Sequence, residues 1–392
     1  MSSLDRWLLP EGIEETLPEE ARRLERLRRR LLDEFTGWGY ELVMPPLIEY
    51  LDSLLTGTGS DLDLQTFKLT DQLTGRLMGI RPDMTPQTAR IDAHYLKRSA
   101  PVRLCYAGSV LHTRPDEFGG SREPLQIGAE LFGHQGAESD AEVLSLMVRT
   151  LDLVGIIAPH LDLGHVGVFR GLARAVGLQA ETEADVFGAL QRKARGEVLA
   201  LLARAGVSAK DSGQIAALLD LSGGAEVLTM AQTRYSANAA VLRALDDLGA
   251  VARLVSAQPG MPALHFDLAE LSGYQYYTGI VFSAYVSGHG WAIAKGGRYD
   301  GVGRAFGRER AATGFGADLR QLLRYCSDCG DTLGGILAPV GEDAALREEV
   351  ARLRATGERV VSELPGASAV PAELSCDRRL VRQGSSWVIQ KI

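Results

Sequence analysis

Short strand-like runs joined by tight turns occupy two parts of this chain, and a long stretch rich in Ala and Leu between them carries helical patterning alone. This segregation constrains the fold most. Strands linked by short turns pair antiparallel, whereas a doubly wound parallel sheet needs regular alternation of strand and helix. No Gly-x-Gly-x-x-Gly follows a strand-like run. The expected class is α+β: an antiparallel sheet flanked by helices, with a helical insertion and a small C-terminal α/β module.

Ala21, Leu24, Leu27, Leu31, Phe35 and Trp38 recur at helical spacing, so residues Pro18 to Trp38 read as an amphipathic helix. Tyr40 to Met44 alternate like a strand until Pro45 and Pro46 stop it. Leu64–Leu69 and Arg76–Ile80 form an expected hairpin around Asp71–Gly75. A helix is expected over Thr85–Leu96, and strands over Val102–His112 and Leu125–Phe132, joined by the loop Arg114–Glu123. Ala137–Gly155 reads as a helix capped by Ser139 or Asp140. The helical insertion covers about 168–257. Strand signals return at Gly279–Val286 and Trp291–Ala294, and a helix over Gly316–Cys326 closes a first domain, residues 1–325. The second, 331–392, reads as strand (Gly335–Val340), helix (Asp343–Thr356), strand (Arg359–Leu364) and a final pair, Arg379–Val381 with Trp387–Ile389.

No apolar run approaches a membrane span and the N-terminal residues lack a signal-peptide pattern, so a cytoplasmic location is expected. The net charge of −8 argues against RNA as the main ligand. The arginines between Arg22 and Arg30 are interleaved with Glu19, Glu20, Glu25 and Glu34, the pattern of a solvated helix face. Four cysteines fit a reducing compartment. Cys326 and Cys329 form a CxxC with no second pair nearby, so free thiols are expected and no metal site.

Four segments carry chemistry: Arg81–Thr85 (RPDMT), Gln126–Glu130 (QIGAE), Gly273–Phe282 (GYQYYTGIVF) and Lys295–Gly301 (KGGRYDG). In this order, with a helical insertion between the second and third, they resemble the catalytic domain of histidyl-tRNA synthetases, a class II aminoacyl-tRNA synthetase fold. The resemblance implies a pocket for free histidine, in which Asp83 meets the ammonium with Thr85 beside it. It also implies that Gln126 and Glu130 contact the amino acid and that Tyr276 and Tyr277 lie near the imidazole. Gln126 and Glu130 are four apart on one strand and so share a face. Gly296 and Gly297 fit a close approach of backbone to ligand. Histidine carries an ammonium, a carboxylate and a ring with one donor and one acceptor, so a selective pocket needs such buried polar partners.

The resemblance fails where ATP would be held. Adenylation needs preorganised positive charge on phosphate oxygens. The family's three arginines fall here at His112, Ser272 and Gln321. Arg320 is adjacent to the last, but one helical step turns a side chain by about 100°. Arg122 does match a family arginine. The C-terminal stretch is also shorter than a typical domain of about 100 residues. A synthetase-like body with these losses resembles the family of ATP phosphoribosyltransferase regulatory subunits. That resemblance implies a non-catalytic chain without cofactor, acting in the first step of histidine biosynthesis. Its implied partner is a short-form ATP phosphoribosyltransferase catalytic subunit in a hetero-oligomer, built on a homodimer core. Histidine is an implied ligand, and neither nucleic acid nor membrane is an expected partner. Two alternatives stay open: an active truncated histidine–tRNA ligase, and a non-catalytic amino-acid or RNA-binding module.

Overall fold

The computed structural model describes residues 7–56, 60–115, 120–270, 273–274, 276–327, 334–367 and 370–392. Its contacts divide the chain into two compact units, Met1–Cys329 and Gly330–Ile392.

The first unit is organised by a nine-stranded sheet. Its six central strands, in spatial order Val102–Ser109, Leu125–Phe132, Ala312–Asp318, Ala294–Arg298, Ile280–Tyr285 and His160–His165, each run antiparallel to the next in this order. Parallel pairs occur only at the margins: Glu41–Leu42 beside Val102–Ser109, and Leu264–Asp267 beside His160–His165. Ser222–Gly223 completes the far edge, so the insertion is not helical throughout.

The period of two along Leu125–Phe132 separates the two faces of the sheet. Ile127, Ala129 and Leu131 join one core with Leu27, Leu31 and Phe35 of the Pro18–Gly37 helix and Leu144, Met147 and Leu151 of the Ala137–Leu153 helix. Gln126, Gly128 and Glu130 point the other way. Each core side chain taken wholly from water contributes roughly 1.5–3 kcal/mol, so this face holds the two long helices, while the other carries the short Thr85–Arg90 helix and a cavity. The first helix starts as its sequence suggests, with Pro18 in the first turn beside Glu19 and Glu20. Within it, Glu25 pairs with Arg28 and Arg29, as a solvated face should.

The Phe67–Thr70 and Leu77–Ile80 hairpin forms, joined by Ile48–Tyr50 in a separate sheet. Asp71 builds its turn by accepting from the Leu73 amide at 3.0 Å and the Thr74 hydroxyl at 2.6 Å. The expected Thr85–Leu96 helix is α-helical to Arg90 and a π-helix over Ile91–Leu96.

Several expectations change. Ala312–Asp318 is a central strand, and only Leu319–Leu323 is helical. Small residues give this strand little propensity of its own; pairing on both sides decides its conformation. Ser139 and Asp140 do not cap the Ala137–Leu153 helix, whose N-cap is Gly136. Asp140 instead pairs with buried Arg298 at 2.9 Å. Cys105 and Cys376 are free and buried, whereas Cys326 is disulfide-bonded rather than a free thiol. Among the described residues, no helix is long and apolar enough to cross a membrane.

The second unit is a four-stranded sheet in the order Val360–Ser362, Gly335–Ala338, Cys376–Gln383, Ser386–Lys391, with the last pair antiparallel and the others parallel. Ile336, Val360 and Leu380 pack against Leu346, Val350 and Leu353 of the Ala344–Ala355 helix. Asp343 caps that helix at the Ala345 amide and accepts from the Trp387 indole at 3.0 Å.

Candidate ligand-binding site

Glycines clear part of the sheet face opposite the two long helices, beside the patch where Ala89 of the Thr85–Arg90 helix packs on Leu104 and Phe132. Tyr106 stands opposite Gly128, and Gly314 stands opposite Glu130. A Cβ on Gly128 would lie 2.4 Å from the Tyr106 hydroxyl, and one on Gly314 would lie 1.5 Å from Glu130 Oε2. The space so kept is a cavity of about 580 Å³.

Glu130 is its buried centre. The carboxylate accepts from the Thr85 hydroxyl at 2.9 Å, from the Tyr106 hydroxyl at 2.9 Å and from the Tyr299 hydroxyl. Burial, and then the negative charge of Asp83, push the Glu130 carboxyl up to about 8, although these bonds oppose the shift. The same burial holds Tyr106, Tyr276, Tyr277 and Tyr299 above the ordinary phenol range.

Asp83 and Gln126 form a second polar group. Gln126 Nε2 donates to Asp83 Oδ1 at 2.7 Å, while Gln126 Oε1 accepts from the Met84 amide at 2.9 Å. The Thr85 amide also donates to Asp83 Oδ1, at 3.0 Å. The turn at Asp83 and the strand carrying Gln126 therefore fix each other. Tyr276 stacks on Tyr299 at 5.1 Å and meets Tyr277 edge-on at 5.4 Å. The Tyr276 hydroxyl is buried with no hydrogen-bond partner among the described residues, a demand that a ligand would meet.

Asp83, Thr85, Gln126, Glu130, Tyr276 and Tyr277 thus all line one cavity. Gly297 does not. By register it shares the cavity face with Gly314, but the Tyr277 ring covers it, 3.0 Å from where a Cβ would sit. Its service is to let Tyr277 lie down against the strand.

His112 and Gln321, two of the three positions without arginine, also line the cavity; Ser272 lies outside the described residues. The His112 Nε2 atom is 2.8 Å from the Pro82 carbonyl oxygen, so the ring is tied to backbone. Arg122 is committed elsewhere, donating to the His112 and Glu11 carbonyls. Arg320 points away to the Thr16 hydroxyl. Among the described lining residues, Lys295 is the one fixed cation, against the carboxyl groups of Asp83, Asp162, Glu270 and Asp318, with Glu130 adding its charge only above about pH 8. Such a wall favours a ligand cation and disfavours a triphosphate.

Sequence reading missed the parts that close this cavity from the side. Arg170 donates to the Tyr277 and Tyr274 carbonyls at 2.9 and 2.6 Å and lies over the Tyr274 ring. Phe187, on the insertion's Ala180–Gln191 helix, stacks on Tyr274 at 4.6 Å. It also missed the parts played by Tyr106, whose only signal was a ring on a strand, and by Tyr299, although the Lys295–Gly301 segment contains it. A cluster of His160, Asp162 and His265 at the sheet edge also went unread.

Comparison with known proteins agrees with this fold. The family model for histidyl-tRNA synthetase matches residues 12–322, and that for the ATP phosphoribosyltransferase subunit HisZ C-terminal domain matches residues 333–390. A crystal structure described as an ATP phosphoribosyltransferase regulatory subunit/histidyl-tRNA synthetase from Bacillus halodurans superposes with a TM-score of 0.83. It is 29% identical and covers 94% of this chain and 95% of its own. Histidyl-tRNA synthetase from Nostoc sp. PCC 7120 has the same fold at 18% identity, with a TM-score of 0.77 over 96% of this chain and 91% of its own. Fold and cavity together define a protein built on the histidyl-tRNA synthetase plan.

The ATP phosphoribosyltransferase regulatory subunit of Alkalilimnicola ehrlichii is 56% identical over 99% of this chain and 98% of its own. That of Pseudomonas syringae pv. tomato is 53% identical over the full length of both. The chain belongs to the family of ATP phosphoribosyltransferase regulatory subunits, and its part is regulatory rather than catalytic.

Proposed function

We propose that the cavity around Glu130 binds free histidine, and that this chain uses it to regulate an ATP phosphoribosyltransferase catalytic subunit of the short form in a hetero-oligomer. The observation that carries the reading is the cavity wall. It keeps acceptors at half-buried Asp83 and buried Glu130 and aromatic hydroxyls beside them, yet offers Lys295 as its one fixed cation among the described lining residues. An amino acid's ammonium is served there, and an ATP phosphate chain is not. Histidine would then shift the complex only by its differential affinity for two states, and a coupling of about 1–3 kcal/mol would change partner activity roughly 5- to 150-fold.

The division of labour we propose places the pocket in residues 1–325, with the 168–257 insertion as its helical side wall and 331–392 as a separate module. A homodimer core is supported by exposed apolar side chains at Leu42, Met44, Leu47 and Ile48, beside an edge strand. A cytoplasmic site of action accords with a role in amino-acid biosynthesis.

The test is calorimetric titration of the full chain with histidine, then assay of the catalytic subunit with and without this chain. Stoichiometric histidine binding that Glu130→Ala abolishes, with a histidine response lost from the assembled complex, is the expected result. A Glu130→Ala complex that responds to histidine as wild type does would overturn the pocket's part. No gain in catalytic-subunit activity on mixing would overturn the regulatory one.

A further inference from the structure

His160, Asp162 and His265 lie on two neighbouring strands at the end of the sheet. Asp162 and His265 are direct partners in the parallel pairing of His160–His165 with Leu264–Asp267. His160 is two residues before Asp162, so all three side chains project from one face. His265 Nδ1 is 2.6 Å from Asp162 Oδ1, and His160 Nε2 is 2.7 Å from the same oxygen. The three potential ligand atoms lie within 4.8 Å of one another.

We propose that these three residues form a binding site for a divalent transition metal ion of the zinc type. Two imidazoles and one carboxylate are a donor set that such ions take, with bonds of about 2.0–2.2 Å and a further position for water. Tetrahedral bonding at those lengths sets donor atoms about 3.3 Å apart. The carboxylate oxygen must therefore ease away from both rings by under an ångström while the nitrogens close in. His160, more than half exposed at 56%, is free to make that adjustment, while the paired strands hold the rest.

The ring protons also fit. An imidazole that donates to Asp162 through one nitrogen frees that nitrogen by moving the proton to the other. His265 Nε2 has the Ser222 hydroxyl at 3.4 Å to receive it. A partner of this kind fixes the tautomer of a metal-bound histidine. The Leu264–Asp267 strand thus has Ser222 on one side and Asp162 on the other, and both converge on His265.

Asp162 also lines the ligand cavity, so an ion here adds positive charge to a wall dominated by carboxylates. The site stands independently of what fills that cavity.

The experiment is calorimetric titration of the chelator-treated full chain with zinc chloride, repeated on His160→Ala, His265→Ala and Asp162→Asn. One zinc per chain is expected, with affinity reduced at least tenfold in each variant and unchanged in His94→Ala, an exposed histidine elsewhere. His160 is exposed enough that its replacement leaves the fold intact, which circular dichroism checks. Failure of the wild type to take up one zinc, or unaltered affinity in both His160→Ala and His265→Ala, overturns the site and leaves a hydrogen-bonded histidine pair.

Discussion

Gly314 and Glu130 face each other across two central strands, and a single methyl group on Gly314 would overlap the Glu130 carboxylate, 1.5 Å from Oε2 and 2.9 Å from the Ala129 carbonyl oxygen. Neither neighbour can yield, because Glu130 is held by three hydroxyls and the carbonyl belongs to the sheet. Gly314→Ala should cost about 1–3 kcal/mol, the usual range for overpacking a closed site. It should also abolish histidine binding. Gly301→Ala, where nothing lies within 4 Å, is the control and should change neither quantity. Denaturant unfolding and calorimetry measure the two effects.

Glu130 makes stability depend on pH in a defined direction. Its carboxyl is raised in the fold to about 8, so the native protein holds a proton there that the unfolded chain releases near the ordinary value of 4.5. The contribution of the protonated form is complete below pH 4.5 and is lost as pH rises through 8. Glu130→Gln, which cannot ionise, should flatten the stability curve between those limits by up to a few kcal/mol, because each tenfold change in proton affinity is worth about 1.4 kcal/mol. Unfolding midpoints at pH 5, 6.5 and 8 test this. Equal slopes in wild type and variant would contradict it.

Arg170 sits outside the cavity and holds two of its backbone carbonyls, those of Tyr274 and Tyr277. Hydrogen bonds to a charged group contribute about 1.5–3 kcal/mol. Arg170→Ala should therefore weaken histidine binding by at least about tenfold while leaving Asp83, Gln126 and Glu130 in place. Arg170→Lys should recover only part of the loss, since one ammonium cannot span both carbonyls as the guanidinium fork does. Calorimetry with histidine on both variants measures the loss and the recovery.

The buried pair of Arg298 and Asp140 joins the Ala294–Arg298 strand to the start of the Ala137–Leu153 helix. The guanidinium also donates to the Ser139 hydroxyl and to the carbonyls of His134 and Gly136. Removing one partner strands the other charge, so Arg298→Met should cost about 3–5 kcal/mol. Adding Asp140→Leu to Arg298→Met should restore much of that loss, because the orphaned carboxylate goes too. A double-mutant cycle by denaturant unfolding gives the coupling.

Much of this architecture was legible in the chain, for identifiable reasons. The Pro18–Gly37 helix announces itself by apolar spacing and an acidic first turn, and the Phe67–Ile80 hairpin by its Asp71 turn. The polar residues of the cavity were legible because Gln126 and Glu130 share a strand face, and because motif order placed Asp83 and the tyrosines beside them. The Ala312–Asp318 strand was not, since alternating glycines and small residues carry no period of their own. Asp140 looked like a cap because a carboxylate near a helix start often is one; only the fold reveals Arg298, 158 residues away, as its partner. Arg170 and Phe187 were illegible for a similar reason. Their targets, a backbone carbonyl and an aromatic face, leave no mark in the sequence.

Phe187 and Gln191 come from the insertion, while Asp83 and Glu130 come from the sheet and its first turn, and all four border one volume. Whatever fills that volume touches both bodies at once. An occupant's contacts with Phe187 and Gln191 would therefore add to what holds the insertion against the sheet, so cavity occupancy and the docking of this helix should be linked in free energy.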